Sequence, residues 1–183
     1  MPPFFIPLYA DFFIQEKHKM KFSDNGINLL KRLEGHVKIG DKHVVYDDKT
    51  GIIVKLNPPL PRGATIGYGH LVKSGENFAG GIDELQATNL LRADIATSEH
   101  IVQKNIHVPL SQNQYDALVI FVYNIGGAAF AESTVVKYIN NPNFHSDKYK
   151  TLESAWMAWN KSGGREVTGL TRRRIQELNL FNS

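Results

Sequence analysis

Asn28-Leu29-Leu30-Lys31-Arg32-Leu33-Glu34-Gly35 ends a helical pattern on an acid, and Thr65-Ile66-Gly67-Tyr68-Gly69-His70 closes the glycine-rich segment beyond it. Upstream, Ser23 or Asp24 supplies a helix cap, Ile27, Leu30 and Leu33 recur at three-residue spacing, and Gly35 is the expected terminator. Glu34 is thereby placed at a helix C-terminus. From His36 to Leu71 the pattern changes to short β-branched or aromatic pieces, Val44-Val45-Tyr46, Gly51-Ile52-Ile53-Val54 and Ala64-Thr65-Ile66-Gly67-Tyr68. The breaks between them, Asp47 to Gly51 and Asn57 to Gly63, predict turns in a small antiparallel sheet.

The rest of the chain reads as helix. Asp83 with Gln86 forms a capping box, and Leu85, Leu91, Ile95 and Val102 carry a helical stripe to about Asn105. Ser111 with Gln114 opens a second, mostly apolar helix through Tyr115, Leu118, Val119, Phe121, Val122 and Ile125, stopped by Gly126-Gly127. Shorter helices are expected from Ser133 to Asn140, Thr151 to Trp159 and Thr171 to Phe181. The fold class is α+β: a β-rich lobe over 20–82, a joining helix over 83–105 and a helical lobe over 106–183. Residues 1–19 form an extension of unassigned role.

The 183 residues are enough to bury a core without covalent staples, and the chain has no cysteine. That excludes disulfides, thiolate metal sites and cysteine nucleophiles. Seven histidines show no metal-ligand spacing, and neither metal nor cofactor is expected. The net charge of +3 is mild, and Arg172-Arg173-Arg174 sits in no nucleic-acid motif, so nucleic acid is not an expected partner. The apolar cluster Pro3 to Ile14 lacks both the pattern of a secretory signal and the length of a spanning helix, which predicts no stable membrane insertion.

Glycosidic cleavage needs a protonated acid on the leaving oxygen and a second group that activates water or attacks the sugar. Glu34 suits the first role, because the negative end of its helix favours a neutral carboxyl. Asp48, in a polar turn, suits the second, and Thr65 adds a hydroxyl to hold a water. Asp47 is the competing carboxylate. Each also has a plain structural use: a solvated helix end, an Asx-turn, a strand residue. His70 reads as a hydrogen-bonding group of the β-rich lobe, Trp156 and Trp159 as core, and one arginine of the run as pointing inward, toward Glu34.

Order and context tie these residues together. Glu34-Gly35, then Tyr46-Asp47-Asp48-Lys49-Thr50-Gly51, then Thr65-Ile66-Gly67-Tyr68-Gly69-His70 resembles the E-G, Y-x-D-x-x-G, T-x-G-x-G-H signature of phage-type lysozymes, glycoside hydrolase family 24. Leu110 to Leu118, Phe121 to Gly126, Phe130 with Ser133-Thr134, Trp159 to Gly164, Gly169-Leu170 and Arg172 to Arg174 are similar to its second half. The chain departs from the compact pattern by extra residues at 38–43 and a Pro-rich insertion at 52–64.

The resemblance implies a lysozyme-like fold with an active-site cleft between the lobes, and an endolysin muramidase that hydrolyses the β-1,4 bond between N-acetylmuramic acid and N-acetylglucosamine. It implies Glu34 as general acid, Asp48 and Thr65 as the water-handling pair, and Tyr123 and Asn124 as cleft-lining residues. Inversion is implied too, with carboxylates roughly 6.5–9.5 Å apart. The expected partners are peptidoglycan and a separate holin, for a monomer held in the host cytoplasm until release to the periplasm and cell wall. A lytic transglycosylase and a non-catalytic wall-binding module are the alternatives.

Overall fold

The structure is a computed structural model and describes residues 20–54 and 63–183. Its first element is α1 (Asp24–Leu33), capped by the Ser23 side chain, which accepts from the Gly26 amide at 3.1 Å. The helix ends at Leu33, two residues before Gly35: Glu34 is its extended C-cap (φ −88°, ψ 141°), with its amide still bonded to the Leu30 carbonyl. The chain therefore leaves α1 through the acid, and the left-handed glycine cap expected at Gly35 is not used.

Five short strands follow: β1 (Lys38–Ile39), β2 (Lys42–His43), β3 (Tyr46–Asp47), β4 (Ala64–Ile66) and β5 (His70–Leu71). β1 and β2 make an antiparallel hairpin from the extra residues at 38–43, turning at Gly40 with φ 61°. β3, β4 and β5 form a three-stranded antiparallel sheet in that order, with Tyr46 opposite Thr65 and Ile66 opposite His70. The expected strand at Gly51 to Val54 is reduced to a single bridge, Tyr46 to Ile53. Residues 1–19, and most of the Pro-rich insertion, lie outside the described residues.

The helices carry the core. α2 (Glu84–Asn105) opens on the Asp83/Gln86 capping box, and α3 (Gln112–Ile125) on the Ser111/Gln114 box, each with both reciprocal bonds made. An unbroken run of α3 from Tyr115 to Val122 is buried. A helix apolar on every side must sit inside others, and α3 packs against α1, α2, α4 (Gly127–Glu132) and α7 (Thr168–Phe181). α5 (Thr134–Asn140) and α6 (Leu152–Met157) complete the helical part.

α4 was not expected from the sequence, because six residues ahead of a serine cap carry too little periodicity. α7 starts at Thr168, before the expected Thr171, after a β6 (Lys161–Ser162) and β7 (Arg165–Glu166) hairpin. Trp156 is fully buried, 4.5 Å from Phe121 and 5.4 Å from Phe181, as its helical spacing predicts.

Candidate active site

α1 delivers Glu34 to the junction of the sheet and the helices. Its side chain keeps 20% exposure and its Oε1 lies 2.8 Å from Nη1 of Arg173, which is 7% exposed on α7. α1 and α7 both lean on α3, and this common support brings the two charges together from opposite ends of the described chain. The sequence pointed to an arginine of the 172–174 run without choosing one. Arg173 is that residue, and Arg174 is buried as well, so two members turn inward where one was expected.

On the sheet side, the cross-strand pair Tyr46 and Thr65 share one face. Tyr46 is buried, and its hydroxyl donates to the Gly35 carbonyl at 3.4 Å, beside the acid. Burial raises the pKa of this phenol; the neighbouring Thr65 hydroxyl lowers it, and the charges of Asp48 and Glu34 raise it. The Thr65 hydroxyl also donates to the Tyr46 carbonyl at 3.4 Å.

The two adjacent aspartates are separated by their bonds. Oδ1 of Asp47 accepts from the amides of Lys49 and Thr50 at 3.0 and 2.9 Å and from the Thr50 hydroxyl at 3.0 Å. These bonds, with that to Thr50 first, lower its pKa. Asp47 is therefore committed to the turn. The Asp48 amide donates to the Gly63 carbonyl at 3.3 Å, tying the residue to the start of β4, and among the described residues its carboxylate takes no part in the bonds that close the turn.

Tyr123 stands with this group. Its hydroxyl donates to the Tyr68 carbonyl at 3.5 Å, and its pKa is raised by burial first and then by the charge of Glu34. Asn124, its neighbour, is exposed, and its Oδ1 accepts from Arg174. Asn124 thus tethers a buried arginine as well as standing at the surface.

Beneath Arg173 lies a charge network not singled out in the sequence analysis. Glu177 is fully buried on α7, one turn on from Arg173. Its Oε1 accepts from Arg173 Nε at 3.2 Å and Arg174 Nη2 at 3.0 Å, and its Oε2 from Trp156 Nε1 at 2.9 Å. Burial raises the pKa of Glu177 against the two guanidiniums, and burial pulls Arg174 down to about 10. Arg174 also lies 5.0 Å over the Phe121 ring. An R-R-x-x-E spacing on a helix was the available clue, since i, i+3 and i+4 share one face.

His70 is buried between carboxylates, with Nδ1 2.9 Å from Asp94 and Nε2 3.0 Å from Glu76. This is the hydrogen-bonding role expected of it. Among the described residues no group of three or more His, Cys, Asp or Glu side chains is arranged to hold a metal ion.

A small antiparallel sheet set against a helical bundle, with an acid at their junction, is the lysozyme-like α+β fold. The chain belongs to the phage lysozyme family, whose model matches residues 40–177. It is 37% identical to an endolysin of Salmonella phage P22, over 90% of this chain and 99% of that one. It is also 37% identical to an endolysin of Bacillus phage B103 over 88% of this chain, but spans only 54% of that relative's length. The chain thus spans about half of its Bacillus phage relatives and nearly all of the P22 protein. Among solved structures, the muramidase domain of SpmX from Asticaccaulis excentricus superimposes with a TM-score of 0.67 at 30% identity, covering 89% of this chain and 98% of that domain.

Proposed function

We propose that this protein is an endolysin muramidase, that its substrate is bacterial peptidoglycan, and that residues 20–183 carry the activity. Glu34 protonates the glycosidic oxygen, and Asp48 takes a proton from a water that Thr65 helps to hold on the opposite face of the sugar. The observation that carries this reading is the place of Tyr46 among the three: its hydroxyl donates to the Gly35 carbonyl beside Glu34, Thr65 stands opposite it across the sheet, and Asp48 follows two residues on. Asp48 is preferred over Asp47 because the turn consumes Asp47. Tyr123 lines the same site, and Asn124 borders it.

The endolysin names of the relatives and the muramidase name of the SpmX domain support the substrate class. Among the described residues no helix is long and apolar enough to cross a membrane. The likeness to phage endolysins supports a separate membrane-opening partner of the holin type for access to the wall, and action as a monomer once released.

Digestion of purified peptidoglycan, followed by mass spectrometry, tests the reaction. Reducing muramic acid ends are expected; anhydro-muramyl ends would instead mean a transglycosylase, and wall binding without any product would mean a binding module. Glu34→Gln is expected to abolish the products while leaving thermal unfolding near that of the parent.

A further inference from the structure

Glu34 has a guanidinium 2.8 Å away, and an acid must hold a proton before it can give one. A full positive charge at that distance, unshared, stabilises the carboxylate and works against the proton. The guanidinium of Arg173 is not unshared. Its Nη1 faces Glu34, and its Nε donates to Glu177, so one cation is divided between two carboxylates. We propose that Glu177 is a positioning residue for the acid, fixing Arg173 against Glu34 and taking up enough of its charge for Glu34 to carry the proton that it donates. The inference rests on Glu34 being the general acid.

Three features support it. A carboxylate with no exposure is costly to bury, and it is retained on α7 where an apolar side chain would pack. Its two oxygens are occupied by three donors, from Arg173, Arg174 and Trp156, which sets its orientation from two helices. Arg173 in turn has little freedom left: its Nε is bonded to Glu177 and its Nη1 to Glu34. The groups facing Glu34 are Arg173 from α7, Tyr123 from α3 and Tyr46 from β3. Asp48 also bears on Tyr46. Among the described residues, Arg173 bridges Glu34 and Glu177, so the effect of Glu177 on the acid passes through it.

Arg174 provides a control of opposite sign. It competes with Arg173 for the same Oε1, so its removal leaves Arg173 as the cation on that oxygen. The pH dependence of kcat/KM on soluble peptidoglycan fragments would be measured for the parent, Glu177→Gln and Arg174→Met. Loss of the Glu177 charge is expected to move the alkaline limb to lower pH by about one unit, roughly a tenfold loss of kcat/KM above the limb. Arg174→Met is expected to move the limb to higher pH. Both variants lose thermal stability, so the opposed directions, not the loss, report positioning.

An alkaline limb that stays at the parental pH, or that moves the same way in both variants, overturns the proposal. If one variant does not fold, the direction of the limb in the other decides. Glu34→Gln, assayed alongside, separates the two layers of argument. Activity retained in Glu34→Gln refutes the acid itself, whereas an inactive Glu34→Gln with an unmoved limb in the other variants refutes only the role of Glu177.

Discussion

Asp47 and Asp48 are adjacent carboxylates with different work to do. Asp47 closes its turn through three bonds to one oxygen, so Asp47→Ala is expected to loosen that turn and leave most of the activity. Asp48→Asn is expected to lower kcat by roughly 10²–10⁴-fold with little change in thermal unfolding, the signature of a lost proton acceptor. Steady-state assays of the two variants side by side check the assignment, and the reverse ranking would transfer the role to Asp47. A third aspartate is purely architectural. Asp116 is fully buried and accepts from the Ser23 amide at 3.1 Å, from the Ser23 hydroxyl and from Gln112 at 2.8 Å. It locks the capped start of α1 to α3, and Asp116→Ala leaves those donors without a partner. A loss of about 2–3 kcal/mol is expected in urea unfolding. Nothing in the sequence around Asp116 announced this, because its partner Ser23 lies far away along the chain.

At the scale of elements, the helix starts were the most legible features. Asp83 and Ser111 are short polar side chains followed at set distances by amides they can reach, and both cap as their spacing predicts, while of Ser23 and Asp24 it is Ser23 that caps α1. Asp83→Ala removes one half of the box on α2 and is expected to cost about 1 kcal/mol in denaturant unfolding while leaving catalysis intact. The sheet was less legible. Its strands are two or three residues long, too short for alternation to show, and β1, β2 and β5 are fixed by backbone pairing rather than by their own composition, with β2 bridged besides to the distant Ile82. The β2 end is held that way: the His43 and Ile82 backbones exchange bonds at 2.8 and 2.9 Å, which requires Gly81 at φ 65°, where a Cβ would lie 2.7 Å from the His43 carbonyl oxygen.

For the whole molecule, buried charge sets the response to pH. His43 is fully buried and its pKa is lowered, by burial first, against the hydrogen bond to Glu84. Its Nε2 lies 3.0 Å from Glu84, while its Nδ1 has no partner among the described residues, an arrangement that suits the neutral ring. Glu84 is also lowered: burial raises it, but bonds from Tyr68, His43, Lys31 and Lys38 outweigh that. A group whose pKa is lower folded than unfolded binds more protons when unfolded, so its contribution is present above the unfolded value and lost as pH falls. His43 begins to cost stability below its ordinary value of 6.5, and Glu84 and Glu76, likewise lowered, below 4.5. Glu177, raised by burial, has the opposite sign: it costs stability when ionised at neutral pH, and that cost is relieved as pH falls toward its ordinary value of 4.5. The melting temperature is therefore expected to decline from neutral pH in two stages, and His43→Phe to remove the first. A single-stage decline unchanged in that variant would contradict the assignment. The sequence by itself determined the boxed starts of α2 and α3, the α+β class, the placement of Glu34 at a helix end and the kinship with phage lysozymes, because caps, periodicity and short motifs are local. Only the tertiary structure decided which arginine meets Glu34, that Glu177 shares it, and that Asp47 is spent on its turn. Those outcomes depend on α1, α7 and the sheet being brought together on α3, and the energy of a buried charge depends on what surrounds it, which no local stretch of sequence contains.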